Sequence, residues 1–381
     1  MRTKPVFHCG VCAWLPLIVA LTVPVALPQQ WSLLTSGVPW GRYGHSAVYN
    51  AATNQIIVFG GVLSAPGILN TNDTWRMDNA NGASGTPAWT LLLANGSPGG
   101  PAARHGHAAV YDAATDRMIV FGGCLGGCLP VANDVWVLVN ATGAAGPPTW
   151  QQLSPVGGPP APRTYPAFVY DPTDNRMILF GGQNGGGFGG ATYPDVWVLS
   201  NANGLGGTPA WTQLAPTGGP APGQYGPSAI YDQANNIMTV FGGGVQGTGK
   251  PTNSVWTLSH ANGLGGPPAW TRIVADGAPG SPARRAFPTA TYDPASNRMT
   301  IYGGINSGTA FGDFWILQNA NGLGGVPAWI KGATTTLTRP VPRTEHRAVY
   351  DPASNRMMVI CGQSSEGLFY STWALSNANG L

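Results

Sequence analysis

One unit recurs six times along the chain, and this recurrence restricts the possible folds more than any other feature. An apolar alternating segment ends in a tyrosine at Tyr49, Tyr111, Tyr170, Tyr231, Tyr292 and Tyr350, at steps of 62, 59, 61, 61 and 58 residues. A second apolar run carries Phe-Gly-Gly at Phe59, Phe121, Phe180 and Phe241, then Tyr302-Gly303-Gly304 and a degenerate Cys361-Gly362-Gln363. A third carries Trp75, Trp136, Trp197, Trp256, Trp315 and Trp373. A fourth carries Trp89, Trp150, Trp211, Trp270 and Trp329, each 14 residues after its partner. Gly, Pro, Asn and Asp separate these short runs, which predicts four antiparallel strands per unit. Such a sheet cannot bury both faces alone, so the units must stack on one another, as the blades of a propeller do.

Ring closure follows from the same count. A partner for Trp373 would fall six residues beyond Leu381, so the sixth unit lacks its own fourth strand. At the other end, Trp31-Ser32-Leu33-Leu34 resembles Trp89-Thr90-Leu91-Leu92. The N-terminal strand is therefore expected to complete the last blade, which removes an exposed sheet edge. The alternative is a chain that stops within the sixth blade.

An Arg shortly before a Gly-His-Ser-Ala-Val-Tyr-like strand, an apolar run into a glycine doublet and two spaced tryptophans occur from Trp31 to Leu381. In these motifs the chain resembles the kelch-repeat family, in the manner of bacterial secreted kelch proteins and, distantly, of the galactose oxidase central domain. The resemblance implies an all-β, six-bladed kelch-type β-propeller, with the first strand of each blade lining a central channel and the fourth outermost. Residues 29–381 are expected to form this single domain.

Residues 1–28 begin with Arg2 and Lys4 and continue in an apolar stretch broken by Pro16 and Pro24. They are expected to be a signal peptide or, failing cleavage, an N-terminal anchor. Export would place the protein in the periplasm, at the cell surface or outside the cell. Charged residues are only 9% of the chain, and removing Arg2 and Lys4 lowers the formal charge from +3 to +1. That gives no electrostatic reason to bind nucleic acid or an anionic membrane. No cofactor motif is present, and a monomer is expected. The 56 glycines and 35 prolines lie mostly in turns between apolar strands, which separates this composition from that of a disordered chain.

Most chemically tempting residues belong to repeat columns. Asp112, Asp171, Asp232, Asp293 and Asp351 follow the strand tyrosine and are expected to cap tight turns. Asp73, Asp134, Asp195 and Asp313 open the tryptophan strand. Asp116 and Asp174 belong to the hairpin after that tyrosine, and only Asp78, Asp276, Glu345 and Glu366 remain, too scattered for paired-carboxylate hydrolysis. Asn79, Asn140, Asn201, His260, Asn319 and Asn377 mark hairpin turns that tolerate positive φ.

Seven residues before each tyrosine stand Arg42, Arg104, Arg163, Gln224, Arg285 and Arg343, with Arg284 beside the fifth. If the first strand lines the channel, these forks could ring one mouth and take an anionic or sugar-acid ligand. They could equally brace neighbouring loops through backbone carbonyls. His45, His107 and His346 share a column in neighbouring blades and are weak metal candidates, because channel strands diverge while ligands must converge. Cys124 and Cys128 bracket Leu-Gly-Gly, a natural small-loop disulfide in an oxidising compartment. Cys361 is expected to pack as a small apolar group. The loops after the doublets carry Phe188, Tyr193, Phe369 and Tyr370, which suit carbohydrate or peptide recognition.

The functional expectation is a secreted, non-catalytic propeller that binds a protein or glycan through the loops at one channel mouth. A second reading is a sugar-acid enzyme resembling sialic-acid mutarotases, with Arg343, Glu345 and Arg285 as the polar set. A third is a structural surface domain without a specific ligand.

Overall fold

The computed structural model describes Met1 and residues 28–63, 69–127, 129–185, 190–218, 223–245 and 250–381. The expected leader therefore lies outside the described residues apart from its first and last positions, as do Cys128 and Phe188. The described residues form six antiparallel blade sheets in sequence order, with three two-stranded ribbons beside them. Blade 3 shows the pattern, with strands Ala167–Asp171, Arg176–Phe180, Val196–Ser200 and Ala210–Leu214 hydrogen-bonded in that order. The first strand of each blade packs against the first strands of both neighbours, blade 6 against blade 1 included, so the ring is closed around a channel.

The latch is the N-terminal strand. Gln30–Thr35 pairs antiparallel with Thr372–Ser376, setting Trp31 opposite Leu375 and Leu33 opposite Trp373. It becomes the outer strand of blade 6, beside Arg356–Ile360 and Arg347–Asp351.

The apolar core lies between blades, and the two recurrent aromatic columns explain how it is filled. The second-strand aromatic of one blade packs against the fourth-strand tryptophan of the next. Ring centroids are 4.8 Å apart for Phe59–Trp150, 5.2 Å for Phe121–Trp211, 5.0 Å for Phe180–Trp270 and 5.2 Å for Phe241–Trp329. Tyr302 meets Trp31 at 5.1 Å, so the borrowed strand fills the same socket as the others. These tilted and edge-on geometries suit aromatic quadrupoles. At the sixth seam Ile360 and Trp89 share one cluster.

That placement corrects the expected register of the degenerate doublet. Its counterpart of Phe-Gly-Gly is Ile360-Cys361-Gly362, one residue earlier than Cys361-Gly362-Gln363. Cys361 takes φ +54° where Gly60 has +65°, and Gly362 takes +101° where Gly61 has +102°. Cys361 is buried, as expected of a small apolar group.

On the face bearing the first-to-second-strand and third-to-fourth-strand turns, Asn79, Asn140, Asn201, His260, Asn319 and Asn377 all have φ between +49° and +52°, as the turn reading requires. The turn aspartates do more than cap. Asp112 accepts from the Ala114 N–H at 3.1 Å and from Asn203 Nδ2 of the next blade at 2.7 Å. Asp171–Asn262, Asp232–Asn321, Asp293–Asn379 and Asp351–Asn81 repeat the inter-blade tie.

Candidate functional site

The arginine column lies at the face opposite those turns, and its side chains are buried. Arg42, Arg104, Arg163, Arg285 and Arg343 are at most 1% exposed. In four blades the guanidinium makes four hydrogen bonds within its own blade. Arg163 donates through Nε to the Ala161 carbonyl at 3.0 Å and through Nη1 to the Gly181 carbonyl at 2.9 Å. It also grips both oxygens of Asp195, at 2.6 and 2.9 Å. Asp73, Asp134 and Asp313 hold Arg42, Arg104 and Arg285 in the same bidentate way. Burial raises the pKa of these carboxyls, and the arginine hydrogen bonds more than reverse it, leaving all four below the ordinary aspartate value. The same carboxylates accept the indole N–H of Trp75, Trp136, Trp197 and Trp315 at 2.6–2.7 Å.

The two departures from the column differ. Blade 4 has Gln224 for the arginine and Ser254 for the aspartate, and the buried Gln224 amide has no hydrogen-bond partner. Arg284 is surface-exposed and paired with Asp276 at 2.8 Å, apart from the buried column. Blade 6 keeps Arg343 but has Ser371 for the aspartate. Arg343 donates to the carbonyls of Val341 and Cys361 at 3.1 and 2.8 Å and to the Ser371 hydroxyl at 3.3 Å. Burial lowers its pKa from the ordinary arginine value, with the neighbouring Tyr302 hydroxyl and Cys361 opposing that shift.

The channel is capped at this face by a feature not anticipated from the sequence. Gly44, Gly106, Tyr165, Gly226, Phe287 and Glu345, each two residues after the arginine column, have φ between +51° and +63°. Their backbones link head to tail. Gly106 donates to Gly44 at 2.7 Å, Tyr165 to Gly106 at 2.6 Å, Gly226 to Tyr165 at 2.9 Å, Phe287 to Gly226 at 2.7 Å and Gly44 to Glu345 at 3.0 Å. The three side chains fill the centre. Tyr165 stacks edge-on with Phe287 at 4.8 Å, and its hydroxyl reaches across to Glu345 Oε2 at 2.5 Å. Gln363 donates to the other Glu345 oxygen at 2.8 Å. Burial pushes the Glu345 carboxyl up, against the opposing effect of those hydrogen bonds and of Arg347.

Below the cap lies a cavity of about 140 Å³, lined by Tyr165, Phe168, Pro227, Phe287, Thr289 and Arg347 among others. Ligand pockets usually span roughly 300–1,000 Å³, so this channel suits a few waters better than a sugar acid. Of the polar set Arg343, Glu345 and Arg285, Glu345 caps the channel, Arg285 is bound to Asp313, and neither arginine lines the cavity.

The histidine column is also buried, but its members occupy separate blade seams. His107 Nε2 bonds the Ser46 hydroxyl at 2.9 Å, and His346 Nε2 bonds the Thr289 hydroxyl at 2.9 Å. Neither ring nitrogen of His45 has a hydrogen-bond partner. Among the described residues, no group of three or more His, Cys, Asp or Glu is placed to hold a metal. Cys124 is buried, while the expected disulfide cannot be placed because Cys128 lies outside the described residues. Tyr193, Phe311 and Phe369 cover Arg163, Arg285 and Arg343 at 4.2, 4.2 and 4.6 Å. Tyr193 and Phe369 thus have a cation–π role that the sequence did not suggest.

Among the exposed large apolar side chains of the loops on this side are Leu129 at 71%, Trp40 at 58%, Leu69 at 55% and Tyr370 at 51%, with Val38 at 43% beside Trp40 and Leu337 fully exposed in the loop between blades 5 and 6. Leu129, Trp40, Leu69 and Tyr370 come from blades 6, 1 and 2, which are neighbours once the ring closes. Leu368 lies against Gly41, Arg42 pairs with Leu63, Leu63 with Leu69, and Asn70 donates to the Cys124 carbonyl of the blade 2 loop at 3.1 Å.

Six blades of four or five strands, the last completed by a borrowed strand, with one buried Arg–Asp clamp in most of them, define a β-propeller with a plugged channel. The chain belongs to the kelch-repeat family: the model of the KLHDC2/KLHL20/DRC7 Kelch-repeats domain matches residues 27–204 and again 192–379. It is 30% identical over 270 residues to human multiple epidermal growth factor-like domains protein 8, covering 67% of this chain and 8% of that protein. The mouse protein of the same name is 28% identical over 290 residues, covering 72% and 9%. An F-box/kelch-repeat protein of Arabidopsis thaliana is 30% identical over 175 residues, covering 45% and 33%. The chain thus spans less than a tenth of the length of the animal relatives. Kelch propellers as a class are protein-binding modules.

Proposed function

We propose that the protein is an exported, non-catalytic kelch propeller that binds a protein partner through the loop face of blades 6, 1 and 2. The observation that carries this reading is the exposure of Tyr370, Trp40, Leu69 and Leu129 on adjoining loops of blades 6, 1 and 2, beside a channel mouth whose capping carboxylate, Glu345, is already held by Tyr165 and Gln363. Aromatic and aliphatic side chains at such density supply the anchors on which interfaces depend. Export rests on the basic start and apolar run of residues 1–28. A glycan is the competing ligand for the same face.

The test places a photo-crosslinking side chain at Leu129 or Tyr370, and at Leu264 or Leu323 on the opposite face. Crosslinks to one discrete protein from the first pair alone are expected in the producing cell. Equal crosslinking from both faces, or a glycan-array signal lost in Trp40→Ser, would replace the protein reading. Sugar-acid mutarotation at the buffer rate is expected by NMR. Fractionation with N-terminal sequencing tests export and expects a mature start near residue 29.

A further inference from the structure

Blade 6 is unique among the six in keeping the buried arginine while losing its carboxylate. In blades 1, 2, 3 and 5, two donors converge on the aspartate: the guanidinium and the tryptophan indole N–H. In blade 6 both donors persist without it. Trp373 Nε1 is buried and has no hydrogen-bond partner, and the Arg343 guanidinium meets the Ser371 hydroxyl at 3.3 Å and the Tyr302 hydroxyl in place of a carboxylate. Blade 4 shows the other resolution, in which Gln224 and Ser254 replace both charges together. A buried cation with only neutral partners is costly, so retaining Arg343 calls for a compensating anion.

In the sister blades the corresponding position borders solvent. The aspartate that occupies the corresponding place has side-chain exposures of 9%, 25%, 18% and 29% in blades 1, 2, 3 and 5. Ser371 itself is partly exposed. Its hydroxyl is shorter than an aspartate side chain and does not reach as far as the carboxylate oxygens do in the sister blades.

We propose that the space beside Ser371 binds a carboxylate from outside the chain, held between Arg343 Nη2 and Trp373 Nε1 as the sister blades hold their own aspartates. Phe369, stacked on Arg343 at 4.6 Å, forms one wall, and the Ser371 hydroxyl supplies a further donor. The carboxylate belongs either to a small organic acid or to an acidic side chain of a partner. The proposal goes beyond the loop-face reading, because a free carboxylate tests it without any partner.

The experiment follows the indole N–H resonances of the 15N-labelled full chain during titration with sodium acetate, with sodium chloride at matched ionic strength as the control. Trp373→Phe assigns the resonance. A saturable, acetate-specific shift of the Trp373 signal is expected, with Trp315 and Trp256 unmoved. Ser371→Asp should abolish the shift and raise the melting temperature by supplying the missing carboxylate. Ser371→Ala should retain the shift. Arg343→Gln recreates the blade 4 pairing, already tolerated within this ring, and should abolish it. No acetate-specific movement, or movement that survives both Ser371→Asp and Arg343→Gln, overturns the proposal. A terminally blocked glutamate tetrapeptide binding at least tenfold more tightly than acetate supports a site for a partner's side chain. Equal affinity supports a site for small acids.

Discussion

At the scale of single residues, the buried Arg–Asp clamp holds each loop face together, and its energetics are asymmetric. Removing one partner leaves the other charge uncompensated inside the protein, whereas removing both can cost little. Asp195→Ala is therefore expected to destabilise by about 3–5 kcal/mol, because Arg163 stays buried and loses two charge-assisted bonds. Combining Arg163→Gln with Asp195→Ser copies blade 4 and should recover most of that loss. Urea unfolding of the wild type and both variants checks this, and a double variant no more stable than the single would refute the clamp's asymmetry. The clamp is partly legible in the sequence. The arginine column can be read there, and so can the aspartate column, but about 30 residues separate the two and no local pattern joins them. Their joint loss at Gln224 and Ser254 is the visible sign that they touch, and Ser371 opposite a retained Arg343 obscures it. The cap is harder to find. Tyr165, Phe287 and Glu345 interrupt a column of glycines, a pattern that marks a left-handed backbone site only once the strand start is known. Gly226 shows the constraint: a Cβ there would lie 2.5 Å from the Phe287 ring, at φ +60°. Gly226→Ala should lower the melting temperature more than Gly96→Ala, which has a comparable φ of +80° but open space around it.

At the scale of elements, the strand borrowed from the N-terminus carries the closure. Trp31 is 3% exposed and sits 5.1 Å from Tyr302 and 6.1 Å from Phe314, so its ring fills the seam between blades 5 and 6. Large-to-small changes at such sites typically cost about 3–5 kcal/mol, and Trp31→Ala is expected to fall in that range. Leu33, on the same strand, is about half exposed, and Leu33→Ala should stay within roughly 0.5 kcal/mol. Thermal melts of the two variants separate a latch from a loosely docked segment, since similar small losses would mean that the ring does not depend on Trp31. This element is readable because Trp31 repeats the Trp89 motif and the count of fourth strands is one short. The doublet register in blade 6 is not, because the bulky Cys361 stands where glycine is the rule, and only the aromatic seam at Ile360 fixes the alignment.

At the scale of the whole ring, the seams carry a shared pH sensitivity. His45, His107 and His346 are fully buried, and burial, reinforced by neighbouring arginines, lowers their pKa values well below 6.5. His105 is lowered by burial to about 4. Each histidine stays neutral when folded and takes up a proton when the chain unfolds, so the unfolded state binds more protons as pH falls through 6.5. Stability is therefore complete above that pH and declines below it, by about 1.4 kcal/mol per pH unit for each histidine at full slope. Glu345 acts in the opposite sense: its raised pKa favours folding below the unfolded carboxyl range and loses that contribution as pH rises. The four clamp aspartates, with lowered pKa values, hold their contribution down to about pH 4 and lose it only below. Acid unfolding should thus come in two stages, a histidine limb starting near pH 6.5 and an aspartate limb below about pH 4. The first is read from melting temperatures between pH 8 and 5, in wild type and in His45→Leu, which removes one titrating seam and makes the decline shallower. A melting temperature flat from pH 7 to 5 would mean that the seams admit water and protons freely, and a closed, tightly packed ring would then be the wrong description.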